Sequence, residues 1–204
     1  MTSDTEGTRL PGRPRSEKAR QAILAAAMEL LLDQGLYAMS MDGVARDAGV
    51  SKATIYRWWP SKERLALDAL ATEWAATPPA DQRETDSLRD DLVTRFRPWL
   101  RQLRRRPYGR VVAGLVAEAQ TNPSFAAMYR EQFVEPRRAA TREILVRARD
   151  RGEIAAHTNL DVTLDLLYGP IYHRLLHGHA PLTERFAEQV IDSVITAISA
   201  PPTP

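Results

Sequence analysis

Cysteine is absent from the 204-residue chain. That excludes disulfides, thiolate metal sites and thiol redox sensing, and it suits a reducing compartment. Long hydrophobic runs are missing too. Even Val111 to Ala117, as long as any, is far too short to span a bilayer, so no membrane partner is expected. Residues 1–15 lack the apolar segment of a secretory signal, and the expected location is cytoplasmic. There is no Gly-rich phosphate loop, nucleophile elbow or recognisable acid pair, so no catalytic residues, cofactor or metal are expected. Alternating strand patterns are likewise lacking. Charge of one sign is scarce. The net charge is only +2, so any contact with nucleic acid must come from local placement rather than a global field. Residues 1–64 hold ten Lys/Arg against eight Asp/Glu, while residues 65–204 hold eighteen of each.

What the chain does contain is helical periodicity almost throughout. A first helix is predicted from a Ser16 cap to Gln34, with Gly35 as its stop and Ile23, Ala27, Leu30 and Leu31 on one face. Ser40 caps a second helix, 41–48, with Val44, Ala45 and Ala48 inward. Gly49 allows a sharp turn, and Ser51 caps a third helix to about Trp59, stopped by Pro60. Ser61 caps a fourth, to about Ala76, followed by a Pro-rich linker. Further helices are predicted at about 87–105, 108–120, 124–151, 160–177 and 183–199. The fold class is all-α. A flexible basic arm (1–15) precedes a three-helix helix-turn-helix DNA-binding domain (16–62). A larger helical ligand-binding and dimerisation domain (63–200) follows.

The segment SMDGVARDAGVSKATIYRWWPSK, residues 40–62, carries the functional signal. Two short capped helices around a glycine turn make a helix-turn-helix, whose second helix fits a DNA major groove. The core-facing side of that helix is mainly Ile55 and Trp59. Its other side mixes small, hydroxylated, aromatic and cationic groups, which suit close approach to base edges and bonds to phosphates. The bland alternative is the solvated face of a small bundle.

The run AGVSKATIYRWWPSKERL, with MSMDGVARDAGV before it and the Gly35-Leu36-Tyr37 loop, resembles the signature of TetR-family transcriptional regulators over roughly residues 16–70. The resemblance implies that Lys52, Ala53, Thr54 and Arg57 face bases or nearby phosphates. It also implies that Tyr56 and Trp58 pack on the DNA backbone, and that Ser40 and Lys62 meet phosphates. Where relatives place a base-reading Arg early in the second helix, this chain has Asp42 and Gly43. Reading is therefore expected from residues 52–58. In the arm, Pro11-Gly12-Arg13-Pro14-Arg15 resembles an AT-hook core, in which an extended backbone lays Arg13 and Arg15 into a narrow minor groove. A merely disordered basic leader is the alternative.

The remaining two-thirds offers softer signals. Trp99, Leu103, Phe125, Met128, Tyr168, Tyr172 and His173 are candidates to line an effector pocket, with Pro170 expected to kink the helix beside them. Core packing is the competing reading for such residues. His173, His177 and His179 are spaced loosely enough that ordinary surface histidines are favoured over a metal site. Arg95 to Arg110 is read as a salt-bridged helix face. Two stripes, Leu164/Leu167/Ile171/Leu175 and Phe186/Val190/Val194/Ile198, nominate the last two helices as a homodimer surface, with intrachain core as the alternative. The expected protein is a cytoplasmic dimer that binds a palindromic operator in double-stranded DNA as a repressor and is released by an unidentified small molecule. A small all-α enzyme and a helical adaptor are the rival classes. Deleting residues 1–15 should weaken operator binding several-fold and flatten its salt dependence; unchanged affinity at two salt concentrations would dismiss the arm.

Overall fold

Apolar residues recurring at three- and four-residue steps can be buried only by laying one face of each helix against another. The computed structural model describes residues 13–75, 85–105 and 107–199, with side chains from Ser16 onward. It follows this rule with helices α1 (Arg13–Ala38), α2 (Met41–Asp47), α3 (Lys52–Tyr56), α4 (Lys62–Ala75), α5 (Leu88–Arg104), α6 (Tyr108–Thr121), α7 (Pro123–Tyr129), α8 (Glu135–Asp150), α9 (Leu160–His177) and α10 (Glu184–Ile198). No strand occurs among the described residues; a single bridge joins Ile154 to Ser199.

Several expected boundaries shift, each for a local reason. Helix α1 starts at Arg13, three residues before the expected Ser16 cap. Pro14 falls in the first turn, where its missing N–H costs nothing. The backbone at residues 13–15 is therefore helical, not the extended AT-hook form. Residues 1–12 and the side chains of Arg13 and Arg15 lie outside the described residues, as do the 76–84 linker and the terminal prolines. Gly35 does break the helical path, at φ 77 and ψ 172, a backbone region open mainly to glycine. Helix α3 ends at Tyr56 rather than near Trp59. The amides of Trp58 and Trp59 both bond to the Ile55 carbonyl, at 2.9 and 3.0 Å, in a turn that leads into Pro60. The single helix expected over 124–151 is divided by a π-helical segment, Arg130–Val134. Pro136 lacks an N–H and its ring crowds the preceding turn, and the wider π turn absorbs both.

The core is continuous between the two halves. Ile23, Leu31, Val44, Ile55 and Trp59 share one apolar cluster with Leu65, Leu67, Leu103, Phe125 and Ile171. A second cluster gathers Leu92, Phe96, Leu145, Leu164, Leu167, Ile191 and Val194. This corrects the stripes assigned to a dimer surface. Leu164, Leu167 and Ile171 are at most 1% exposed within a single chain, and Val194 and Ile198 are buried as well. The outward apolar residues of α9 are instead Val162, Leu166 and Leu176, each about half exposed.

Helix α9 runs unbroken through Pro170. An open hollow of about 580 Å³ lies beside it, lined by Gly169, Pro170, His173, Arg174, His179 and Phe186. His173 thus parts company with Tyr168 and Tyr172, whose rings meet Trp99 at 5.3 and 5.7 Å. The arginine run behaves as a paired face: Arg97, Arg101 and Arg104 reach Glu184 on α10 at 3.4–3.7 Å.

The corner between α5 and α6 is tight. A Cβ added at Gly109 would lie 2.6 Å from the Leu103 carbonyl oxygen and 3.1 Å from Leu175 Cδ1. Gly109→Ala should therefore destabilise the fold by about 1–3 kcal/mol, read as a lower chemical-denaturation midpoint; an unchanged midpoint would show that the corner yields.

Candidate nucleic-acid interface

The interface is assembled from capping upward. The Ser40 hydroxyl oxygen accepts from the Gly43 amide at 3.1 Å and starts α2. Ser51 does the same for α3, accepting from the Thr54 amide at 3.2 Å, while the Ser51 and Thr54 hydroxyls lie 2.9 Å apart. Each cap satisfies an otherwise orphaned amide and fixes where its helix begins. Gly49, at φ 64, turns the chain between them. Ile55, fully buried, and Trp59, 2% exposed, then anchor one side of α3 in the core. Lys52, Ala53, Tyr56 and Arg57 are left exposed, with Thr54 half-buried.

Among these, the cations are not equivalent. Lys52 Nζ lies 2.8 Å from Asp42 Oδ1, so the α2 carboxylate holds the α3 ammonium and raises its pKa. Arg57 has no ion pair among the described residues. Trp58 is half-buried, its ring edge-on to Trp59 at 5.6 Å. Lys62, expected to meet a phosphate, has its ammonium committed within the chain. It donates to the carbonyls of Leu36, Tyr37 and Met39 at 3.1, 3.0 and 3.3 Å. Those carbonyls belong to the last turn of α1, beyond the Gly35 kink, and to Met39 just after it, so Lys62 fastens the approach to α2 onto the start of α4.

Two features escaped sequence reasoning. Tyr37 is 97% exposed beside the Ser40 cap, while Leu36 takes the buried place in the Gly35 loop. The sequence marked it only as part of the Gly35-Leu36-Tyr37 loop, with no role assigned. The second is Asp68 on α4. Its Oδ2 accepts from Trp59 Nε1 at 2.9 Å and its Oδ1 from Gln132 Nε2 at 3.2 Å, while Arg64 pairs with it at 3.2 Å. One carboxylate thus ties the end of the helix-turn-helix to the π-helical segment of the larger half. Contacts separated by 64 residues leave no local pattern to read.

The expected pocket residues divide. Trp99, Tyr168 and Tyr172 form one aromatic group, and Phe125 stacks on Tyr129 at 6.3 Å. Leu103 and Phe125 are fully in the core, with Met128 packed against it, and His173 lies apart at the hollow, 4.6 Å from His177 and 4.9 Å from His179. No cluster able to hold a metal ion occurs among the described residues.

Comparison with known proteins agrees with this geometry. A family profile described as bacterial regulatory proteins, tetR family, matches residues 23–69, and one described as tetracyclin repressor-like, C-terminal domain, matches residues 82–194. An uncharacterized HTH-type transcriptional regulator, YdeS of Bacillus subtilis, is 34% identical over 93% of this chain and 94% of its own. The DNA-binding transcriptional repressor TetR of Mycobacteroides abscessus is 28% identical over 92% of this chain and 97% of its own. The crystal structure of the TetR family transcription regulator SCO0332 superposes with a TM-score of 0.72 at 35% identity, covering 89% of this chain and 98% of that one.

Because Lys62 satisfies three carbonyls at once, Lys62→Met should cost about 1–3 kcal/mol of stability in thermal or urea unfolding, whatever its effect on DNA. A variant as stable as the parent would show that the clamp is ornamental.

Proposed function

Since the chain belongs to the TetR family of transcriptional regulators, and is thus not an enzyme, we propose that it is a cytoplasmic, homodimeric repressor released from a palindromic operator by a small molecule. The observation that carries the reading is the division of α3. Ile55 and Trp59 lock one side into the core, which leaves Lys52, Ala53, Thr54, Tyr56 and Arg57 as a rigid outward surface. Small side chains at its start allow backbone approach to base edges, and Arg57, having no ion pair among the described residues, is available to bond guanine or phosphate. Ser40, Trp58 and Lys62 border this surface. Lys62 serves it best by positioning, because a phosphate would have to displace a carbonyl. Repression is favoured by the likeness to a named repressor along nearly the whole chain.

Dimerisation through the last two helices fits the apolar face that α9 leaves open at Val162, Leu166 and Leu176. A twofold pair would set two α3 helices into successive major grooves about 34–36 Å apart. A ligand favouring a different separation would lower DNA affinity, and about 1–3 kcal/mol of coupling suffices. Helix α4 is the lever, running from the Lys62 clamp through Asp68 to Trp74.

Two variants test the reading on duplex DNA from upstream of the chain's own gene. Tyr56→Ala should lose operator retention by at least about tenfold while remaining dimeric in sedimentation. Leu166→Glu should become monomeric and lose retention with α3 untouched. Full retention by both would refute the assignment.

A further inference from the structure

Arg137, in the first turn of α8, is a part-buried cation with no anion beside it among the described residues. Its guanidinium carbon lies 4.3 Å from the centroid of the Trp74 ring and 5.1 Å from that of Trp99, so indoles from α4 and α5 both bear on it. Among the described residues no carboxylate pairs with it. The groups that act on it are Tyr172, Tyr129 and Tyr168, which favour its charge, and Arg95, which opposes it; burial outweighs them and lowers its pKa. Three buried nitrogens on neighbouring side chains, Trp74 Nε1, Trp99 Nε1 and Arg95 Nε, have no hydrogen-bond partner among the described residues.

The nitrogen groups among these are donors only, whereas the tyrosine hydroxyls can also accept. Indole and guanidinium N–H groups cannot accept, so they cannot satisfy one another. Leaving such donors dry and unpaired is costly, and native interiors rarely do so without a functional reason. The indole faces attract the delocalised charge but leave the in-plane N–H fork unused. That fork matches a planar carboxylate with two parallel bonds. Around it the walls are aromatic: Trp74 meets Phe133 edge-on at 5.1 Å, and Trp99 meets Tyr172 at 5.7 Å. The chemistry complementary to this group is a flat apolar body bearing one negative charge.

We propose that Arg137, with the indole N–H groups of Trp74 and Trp99, binds the carboxylate of a small aromatic acid, and that this is the effector class. The second half of that statement rests on the repressor reading above. Trp74 closes α4, the same helix that carries Asp68 and Lys62, so an acid seated here pulls directly on the lever.

The probes are benzoate, cinnamate and indole-3-acetate, each beside its neutral amide, titrated into the intact dimer and followed by tryptophan fluorescence and melting temperature. At least one acid should bind about tenfold or more tightly than its amide, the scale expected for charge-assisted bonds. Arg137→Gln should erase that preference. Trp99→Phe, which keeps a ring but removes the N–H, should weaken the acid several-fold and leave the amide unchanged, which keeps the test decisive if the arginine variant folds poorly. Equal affinity for acids and amides, no acid binding at millimolar concentration, or undiminished acid preference in both variants would overturn the site. Operator retention is then measured with each probe. Acid binding without release supports the site and counts against the switch; release by acid and amide alike supports the switch and overturns the carboxylate assignment.

Discussion

One polar contact, the Asp68 carboxylate, ties the end of the helix-turn-helix to the larger half across their shared apolar core. Trp59 lies 2% exposed in the core, so its single polar atom needs a protein partner, and Asp68 provides it at 2.9 Å. The other carboxylate oxygen is held by Gln132 from the π-helical segment at 3.2 Å. The pitch of α3 is therefore not set by the helix-turn-helix alone. It is set jointly by the apolar anchoring of Ile55 and Trp59 and by an acid whose position depends on how α4 meets the segment before α8.

That constraint explains why the two halves share a core instead of being beads on a linker. α1 packs on both α4 and α6, and the cluster that holds Ile55 also holds Phe125 and Ile171. A slight rotation of α4 near Trp74 would let Lys62, at its other end, carry the approach to α2 with it. Rigid elements with few polar connections transmit such shifts because packed interiors are poorly compressible.

The local parts of this arrangement were legible in the sequence. Ser40, Ser51 and Ser61 announced their helices because capping needs only the next three residues, and Gly35 and Gly49 marked breaks that demand positive φ. The last two helices were placed almost to the residue for the same reason. What failed was any statement about which neighbour a face meets. Leu164 and Leu167 read as a stripe but could not say whether the partner was the same chain or a second copy, and a single chain buries them. The division of the 124–151 helix went unseen although Pro136 was in plain view, because periodicity outweighed one residue's backbone chemistry. Among the proposed DNA contacts, Lys62 shows how a motif conveys location without conveying which atoms the ammonium touches. Arg137 carried no sequence signal; a cation held between indoles is defined by its surroundings.

The central claim is that α3 is an outward probe for duplex DNA, paired by a twofold axis. Hydroxyl-radical footprinting on the DNA upstream of the gene tests it most directly. The account predicts two protected patches related by dyad symmetry, with centres about 34–36 Å or a multiple of that apart. A single asymmetric patch, or no protection even in dilute salt, would contradict it.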